Sequence, residues 1–356
     1  PCLLGQLTPL LFDLPHLHDR GHPAPADAAW IERVLAALPA EHPPISAAVL
    51  VHPTYQGYGL DPAPLIQRLQ QKGWPVLVDE AHGSHFAAEV DPELPPSALR
   101  GGADLVVHSL QKSATGLAQT AVLWQQGERV DTTALERSLG WLQTTSPSAL
   151  LLASCEAALL HWHGPAGRRQ LGQRLIQART LRDQLRRDGL PLLTTEDPLR
   201  LVLQTGQAGI NGLDADDWLL PRGLVAELPE PATLTFCLGL GDQRGLRRPL
   251  RRAWQQLLKA HPGRRPQPPL SPPPLPLVAQ PEIAVAEAWR APHRLCLLEQ
   301  AENTIAADLL CPYPPGIPLL VPGERLDGAR LRWLLEQRKL WGDQIPGSLA
   351  VLAEVA

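Results

Sequence analysis

A carboxylate and an amine stand at the ends of two short apolar runs. Val76-Leu-Val-Asp-Glu-Ala-His82 closes on Asp79 and His82, and Leu105-Val-Val-His-Ser-Leu-Gln-Lys112 closes on Ser109 and Lys112. Short β-branched runs that end in polar residues read as buried parallel strands, which deliver side chains at their carboxyl ends. A lysine amine that can form a Schiff base, with a carboxylate to sit beside a pyridine nitrogen, is the pair that pyridoxal phosphate chemistry needs. Taken singly, Asp79 reads as a helix cap and Lys112 as a solvated loop lysine. At this spacing, taken together, they read as a cofactor site.

Strands need crossovers to bring their ends together. Residues 27–38 have helical periodicity with Asp27 as a cap, 45–51 read as an apolar strand, and 64–72 as an amphipathic helix ending at Gly73. This strand–helix–strand alternation predicts an α/β fold, a mostly parallel sheet with right-handed crossovers and helices on both faces. Ligands of such sheets sit at the carboxyl ends of the strands, where Thr54, Asp79 and Lys112 fall. A strand over 119–124 and helices over 133–143, up to 160 and 168–187 follow. Strands at 199–203, 223–228 and 232–238 and a helix over 246–260 make a small α+β unit. The arginines of 168–187 read as a solvated helix face. The proline-dense stretch 262–281 reads as a stiff linker or a wall-hugging segment. The expected organisation is therefore a partial large domain over 1–163, a small α+β domain over 164–261, the linker 262–281 and a C-terminal unit over 282–356.

Composition bounds the function. The 356 residues suffice for two or three domains, and 44% hydrophobic with 19% charged residues is ordinary for a soluble globular chain. A net charge of -4 gives no nucleic-acid footprint. Cys2, Cys155, Cys237, Cys296 and Cys311 lack CxxC spacing and read as reduced cytoplasmic cysteines, with no metal site. His16, His18 and His22, in a proline-bearing loop, read as solvated. No run is long enough to span a membrane and no signal peptide is visible. There is no methionine, and the chain opens mid-pattern at Pro1-Cys-Leu-Leu, so the expectation is that an N-terminal portion precedes it.

The chain resembles the Orn/Lys/Arg decarboxylases, fold-type I pyridoxal-phosphate enzymes of the aminotransferase-like architecture. The resemblance rests on Pro53-Thr-Tyr55, Val78-Asp-Glu-Ala-His-Gly-Ser-His-Phe86, Leu94-Pro-Pro-Ser-Ala98, Gly102-Ala-Asp104, His108-Ser-Leu-Gln-Lys112, Gln143-Thr-Thr-Ser-Pro-Ser148, Tyr313-Pro-Pro-Gly-Ile-Pro318 and Pro322-Gly-Glu324, in the family's order over residues 47–347. It implies that Lys112 forms the Schiff base and Asp79 holds the pyridine nitrogen protonated. It also implies that Ala81 packs under the ring and His82 lies near the phenolic oxygen, Lys112 and His82 being the catalytic pair. Ser109 would bond the phosphate, and so would Gln111, where the family usually has histidine. Thr144 and Thr145 would approach a cofactor phosphate, the chain's own or that of a neighbouring subunit, since such sites lie at dimer interfaces. Gln56 replaces a family tyrosine, Asp308 stands for an expected glutamate upstream of Tyr313, and the family's phosphate-cradling loop would precede Pro1. The resemblance therefore implies decarboxylation of lysine, arginine or ornithine to a di- or polyamine by a homodimer or higher homo-oligomer. Two alternatives stay open: another fold-type I enzyme such as an aminotransferase or synthase, and a catalytically impaired or regulatory relative.

Overall fold

The computed structural model describes all residues except 1, 41, 242–244, 313–315 and 354–356. The first three residues of the motif starting at Tyr313 thus lie outside the described residues. The elements run α1 (Cys2–Gly5), β1 (Leu11–Phe12), β2 (His16–Leu17), β3 (His22–Pro23), α2 (Ala28–Ala37), β4 (Ala48–Val51), α3 (Ala63–Gln70), β5 (Val76–Asp79), β6 (Leu105–Ser109), α4 (Leu110–Ser113), β7 (Ala121–Gln125), α5 (Thr132–Leu142), α6 (Ala149–His163) and α7 (Pro165–Arg187). They continue as β8 (Arg200–Leu203), α8 (Gly212–Leu219), β9 (Leu228–Glu230), β10 (Thr233–Cys237), α9 (Arg247–Ala260), β11 (Val278–Ala279), α10 (Val285–Arg290), β12 (His293–Leu297), α11 (Gly328–Trp341) and β13 (Ser348–Leu352).

The site-bearing sheet has the order β4-β5-β6-β7. β4, β5 and β6 are parallel, in a register that sets Val51 beside Asp79 and Asp79 beside Val107. The chain between β6 and β7 is too short for a helical crossover, so β7 returns antiparallel. Helices α2 and α3 cover one face, packing Trp30, Ile31, Leu65 and Ile66 on Val76, Val78 and Val106. Helix α2 starts where the Asp27 carboxylate accepts the Trp30 N–H at 2.7 Å.

The second unit is an antiparallel sheet of order β8-β10-β9, flanked by α7, α8 and α9. It shares a core with the first unit: Phe86, Leu94 and Leu110 meet Trp162, Leu171 and Leu185, and the same cluster continues to Leu201 and Trp254. In α7, Leu171, Leu175, Ala178, Leu181 and Leu185 recur at helical spacing and are buried. Its arginines are not simply a solvated face, as the sequence suggested. Arg168 donates to the Ala88 carbonyl, and Arg179 pairs with Asp91 and, at 3.2 Å, with Glu93. They clamp the loop that follows the Asp79 strand.

The C-terminal unit pairs β12 with β13 and packs both on α11 around Leu298, Leu310, Leu331 and Val351. The proline-dense stretch hugs a wall. β11 pairs with β1, Leu270 N–H donates to His18 O at 2.7 Å, and Trp333 Nε1–H to Ser271 O at 2.9 Å. His22 corrects the reading of solvated histidines. It has no exposure, and its Nε2 lies 3.0 Å from the buried Glu230 carboxylate. Burial, then the neighbouring His18 and His22, push the His16 ring down to about 4.

Because α7 binds both units through one leucine row, Leu185→Ala should cost about 2–5 kcal/mol in a denaturant titration. A cost near zero would mean that α7 does not cement the two units.

Candidate active site

The sheet brings Asp79, Ala81, His82, Ser109 and Lys112 to the carboxyl ends of β5 and β6. Asp79 ends β5, and one of its carboxylate oxygens accepts the Ala81 N–H at 3.0 Å. Lys112 lies one turn into α4, and its Nζ is 3.1 Å from His82 Nε2. The sequence places these two residues thirty positions apart, and the strand register joins them.

His82 is held from both sides. Arg200 Nη2 lies 3.0 Å from its Nδ1, and Tyr55 stacks obliquely on the ring with centroids 4.3 Å apart. A guanidinium only donates, so Nδ1 accepts and the neutral ring carries its proton on Nε2, facing Lys112. Burial, then the charges of Arg200 and Lys112, push the ring down to about 3. The imidazole is therefore neutral over the ordinary pH range. An N–H at this place meets a lone pair when Lys112 is an uncharged amine, the only form that adds to a carbonyl.

Behind this layer lies a buried polar frame. Arg200 is 3% exposed, with Nη1 3.6 Å from Asp197 Oδ2, and Asp197 Oδ1 faces His85 Nε2 at 3.1 Å. Burial alone would raise the Asp197 carboxyl, but His85, Arg200 and the Leu199 N–H outweigh it and hold it below its usual value. On the other side the Glu80 carboxylate accepts from Ser97 Oγ at 2.6 Å, Ala98 N at 2.8 Å and His108 Nε2 at 2.7 Å. Trp124 Nε1–H donates to His108 Nδ1 at 3.0 Å, which assigns the proton on Nε2 to the Glu80 bond.

Several expected residues lie at the rim. Ser109 precedes α4 without a side-chain cap bond, and neither its hydroxyl nor the exposed Gln111 amide has a hydrogen bond among the described residues. Thr144 and Thr145 are exposed on the stretch between α5 and α6. Thr144 Oγ1 bonds only locally, to Ser146, and no hydrogen bond joins either threonine to the Lys112 cluster. Gln56, a departure from the family pattern, donates to Glu230 at 3.0 Å in a buried contact, a place where a hydroxyl could also donate.

Arg200, Asp197 and Glu227 escaped the sequence reading. Glu227 accepts from the Tyr55 hydroxyl at 2.6 Å. All three come from the second unit, and no local spacing announces a contact with His82 more than a hundred positions away. The Cys237 thiol, pushed up to about 11 by the low-polarity wall at its sulfur although part of the residue is open, feels the charges of Arg200, Glu227, Asp197 and Lys112 together. An apolar cavity of about 230 Å³ lies elsewhere, between Leu14, Leu270 and Trp333, and neither Asp79 nor Lys112 lines it.

This donor set fits pyridoxal phosphate: a primary amine, a carboxylate with one oxygen uncommitted, a small residue at 81 and unengaged hydroxyl and amide groups at 109 and 111. Metal ligation is another matter. Among the described residues no group of three or more His, Cys, Asp or Glu is arranged to hold an ion.

The depressed His82 ring has a measurable consequence. Its ordinary value is 6.5 and its folded value about 3, so between these the unfolded chain binds the extra proton. Stability therefore rises with pH across that window and is lost as pH falls through it, by up to about 1.4 kcal/mol per unit from this ring. His82→Asn should flatten the slope of unfolding free energy between pH 6 and 4 by about that amount. An unchanged slope would place the ring in solvent.

Two family models match the chain: Orn/Lys/Arg decarboxylase, major domain, over residues 22–198, and Orn/Lys/Arg decarboxylase, C-terminal domain, over residues 273–350. An arginine decarboxylase of Halalkalibacterium halodurans is 31% identical over 324 residues, which are 87% of this chain and 65% of that protein. One of Bacillus anthracis is 30% identical over 320 residues, 85% and 63% respectively. In fold, the chain is similar to lysine decarboxylase A from Pseudomonas aeruginosa, with a TM-score of 0.79 at 17% identity over 99% of this chain and 64% of that one. The chain thus spans somewhat less than two thirds of these curated relatives. By its two matched domains, its ordered motifs and its strand-end amine and carboxylate, the chain belongs to the Orn/Lys/Arg decarboxylase family.

Proposed function

We propose that this chain forms the catalytic part of a pyridoxal-phosphate-dependent carboxy-lyase that converts arginine, lysine or ornithine to the corresponding amine and carbon dioxide. One observation carries the reading: the Lys112 amine rests 3.1 Å from a neutral imidazole that hangs from the Asp79 strand. Family membership and the relatives, arginine and lysine decarboxylases, support it.

When bound, the cofactor supplies a conjugated ring that accepts the electron pair left at Cα as carbon dioxide departs. The chain's own residues do the rest. Asp79 uses its uncommitted oxygen to keep a proton on the ring nitrogen, a charge-assisted bond that keeps the ring electron-poor. Ala81 leaves room beneath the ring, and Ser109 and Gln111 offer hydrogen bonds to the phosphate. His82 stays neutral and orients Lys112, while Arg200 fixes the tautomer of His82. The Lys112 amine, when it carries a proton, would be the group placed to return one to Cα, with the neutral His82 ring beside it to orient it. A second copy of the chain would bring Thr144 and Thr145 toward a neighbour's phosphate. Their exposure suits such a contact. The cytoplasm is the proposed place of action. No described helix is long and apolar enough to cross a membrane.

Gln111 favours a second reading, a relative without turnover, because an exposed neutral amide stands where the family carries histidine. The full-length protein, loaded with pyridoxal phosphate, separates the two. The proposal expects a visible absorption band, borohydride labelling at Lys112 and release of carbon dioxide from a basic amino acid. Lys112→Ala should lose band and label. Asp79→Asn should keep the label and lower kcat/KM by about 10²-fold, the value of a lost charge-assisted bond of about 3 kcal/mol. Label on another lysine would sink the site assignment, and a band without turnover would establish the impaired relative.

A further inference from the structure

We propose that Glu227 reads the cationic head group of the substrate and that Tyr55 holds its carboxylate for that purpose. This rests on the decarboxylase reading above and adds a specificity-determining residue to it. The chain of contacts is short. Lys112 Nζ lies 3.1 Å from His82, the His82 ring is 4.3 Å from the Tyr55 ring, and the Tyr55 hydroxyl donates to Glu227 Oε1 at 2.6 Å. The backbone of Glu227 is anchored separately, its N–H donating to Thr235 O at 2.9 Å. The residue is therefore held at its backbone and at one carboxylate oxygen, two aromatic rings away from the Lys112 amine.

What Glu227 lacks among the described residues is a cation. Other acidic residues of this chain pair with arginine, as Glu32 does with Arg68, Asp188 with Arg247 at 2.8 Å and Glu282 with Arg325 at 2.8 Å. Arg200, which holds His82, is spent on that ring and on Asp197. Glu227 Oε2 is left without a hydrogen bond, open to a ligand. Three or four methylenes set the head of a basic amino acid roughly 5–7 Å from its Cα, the scale of one aromatic side chain beyond His82. A guanidinium would meet the carboxylate as a planar fork and an ammonium as a point charge, and either would supply the missing partner.

The test compares substrates that differ only in head-group charge. In the full-length, cofactor-loaded protein, arginine is paired with citrulline and lysine with norleucine. Glu227→Gln should raise KM for the cationic member about tenfold or more, leave kcat within about twofold and leave the neutral member unchanged. Tyr55→Phe should give a smaller shift in the same direction. Calorimetric binding of agmatine, which has the head group but no carboxylate, should weaken to match. Equal losses for charged and neutral substrates, or unchanged agmatine binding in Glu227→Gln, would overturn the assignment. Should the wild-type protein act on none of these amino acids, the decarboxylase reading falls by itself, and agmatine binding still decides for or against Glu227.

Discussion

A buried carboxylate holds the working end of this protein together. Glu80 has no exposure, yet its two oxygens accept from a hydroxyl, a backbone amide and an imidazole. Such a group is costly to bury and stays in place only because its partners are all present. Those partners come from the loop after β5 and from β6, so satisfying Glu80 draws together the two strand ends that carry Asp79 and Lys112. The next residue pair outward, Trp124 on His108, extends the frame to β7. The strand-end carboxylate and amine, Asp79 and Lys112, sit close to these residues in sequence, and the frame leaves them little freedom.

A second constraint comes from the other side of the cleft. The antiparallel sheet of β8, β9 and β10 is not a separate body hung on the first. It shares a leucine-rich core with the Phe86 loop, and α7 clamps that loop with arginines. Rigid packing lets Arg200 meet His82 within 3.0 Å and fix which ring nitrogen bears the proton. Gly57 shows how closely the units approach. It has φ +93, and a Cβ there would lie 2.6 Å from the Arg200 side chain. Buried contacts of Gln56 and His22 with Glu230 close the same seam.

Much of this was legible in the amino-acid sequence. The short apolar runs and the helical periods locate β4, β5, β6, α2, α3 and α7 within a few residues, since buried parallel strands read as continuous apolar runs and a one-sided helix as a 3.6-residue period. Asp79 and Lys112 stand out only as a pair, because a carboxylate and an amine closing two neighbouring apolar runs match one cofactor's needs, whereas each alone has an ordinary structural reading. The resemblance carried by the ordered motifs over residues 47–347 points to the same family that the two domain matches show. The extended course of the proline-dense stretch follows from its composition.

Other features had no local signature. His22 looks like its solvated neighbours in the sequence, and only the fold supplies the Glu230 carboxylate that pairs with it, from more than two hundred positions away. Arg200 and Glu227 open or precede ordinary strands, and their roles depend on how the second sheet is set against the first. The direction of β7 depends on chain length, not side-chain pattern, since a short connection cannot cross the sheet. A sequence by itself determines which residues want burial and which elements they form, because those preferences act over a few positions. Which charged groups then face each other across a cleft is decided by tertiary packing, because hydrogen bonds and charge pairs need contact within a few ångströms and the chain brings distant segments to that range only when the whole core has formed.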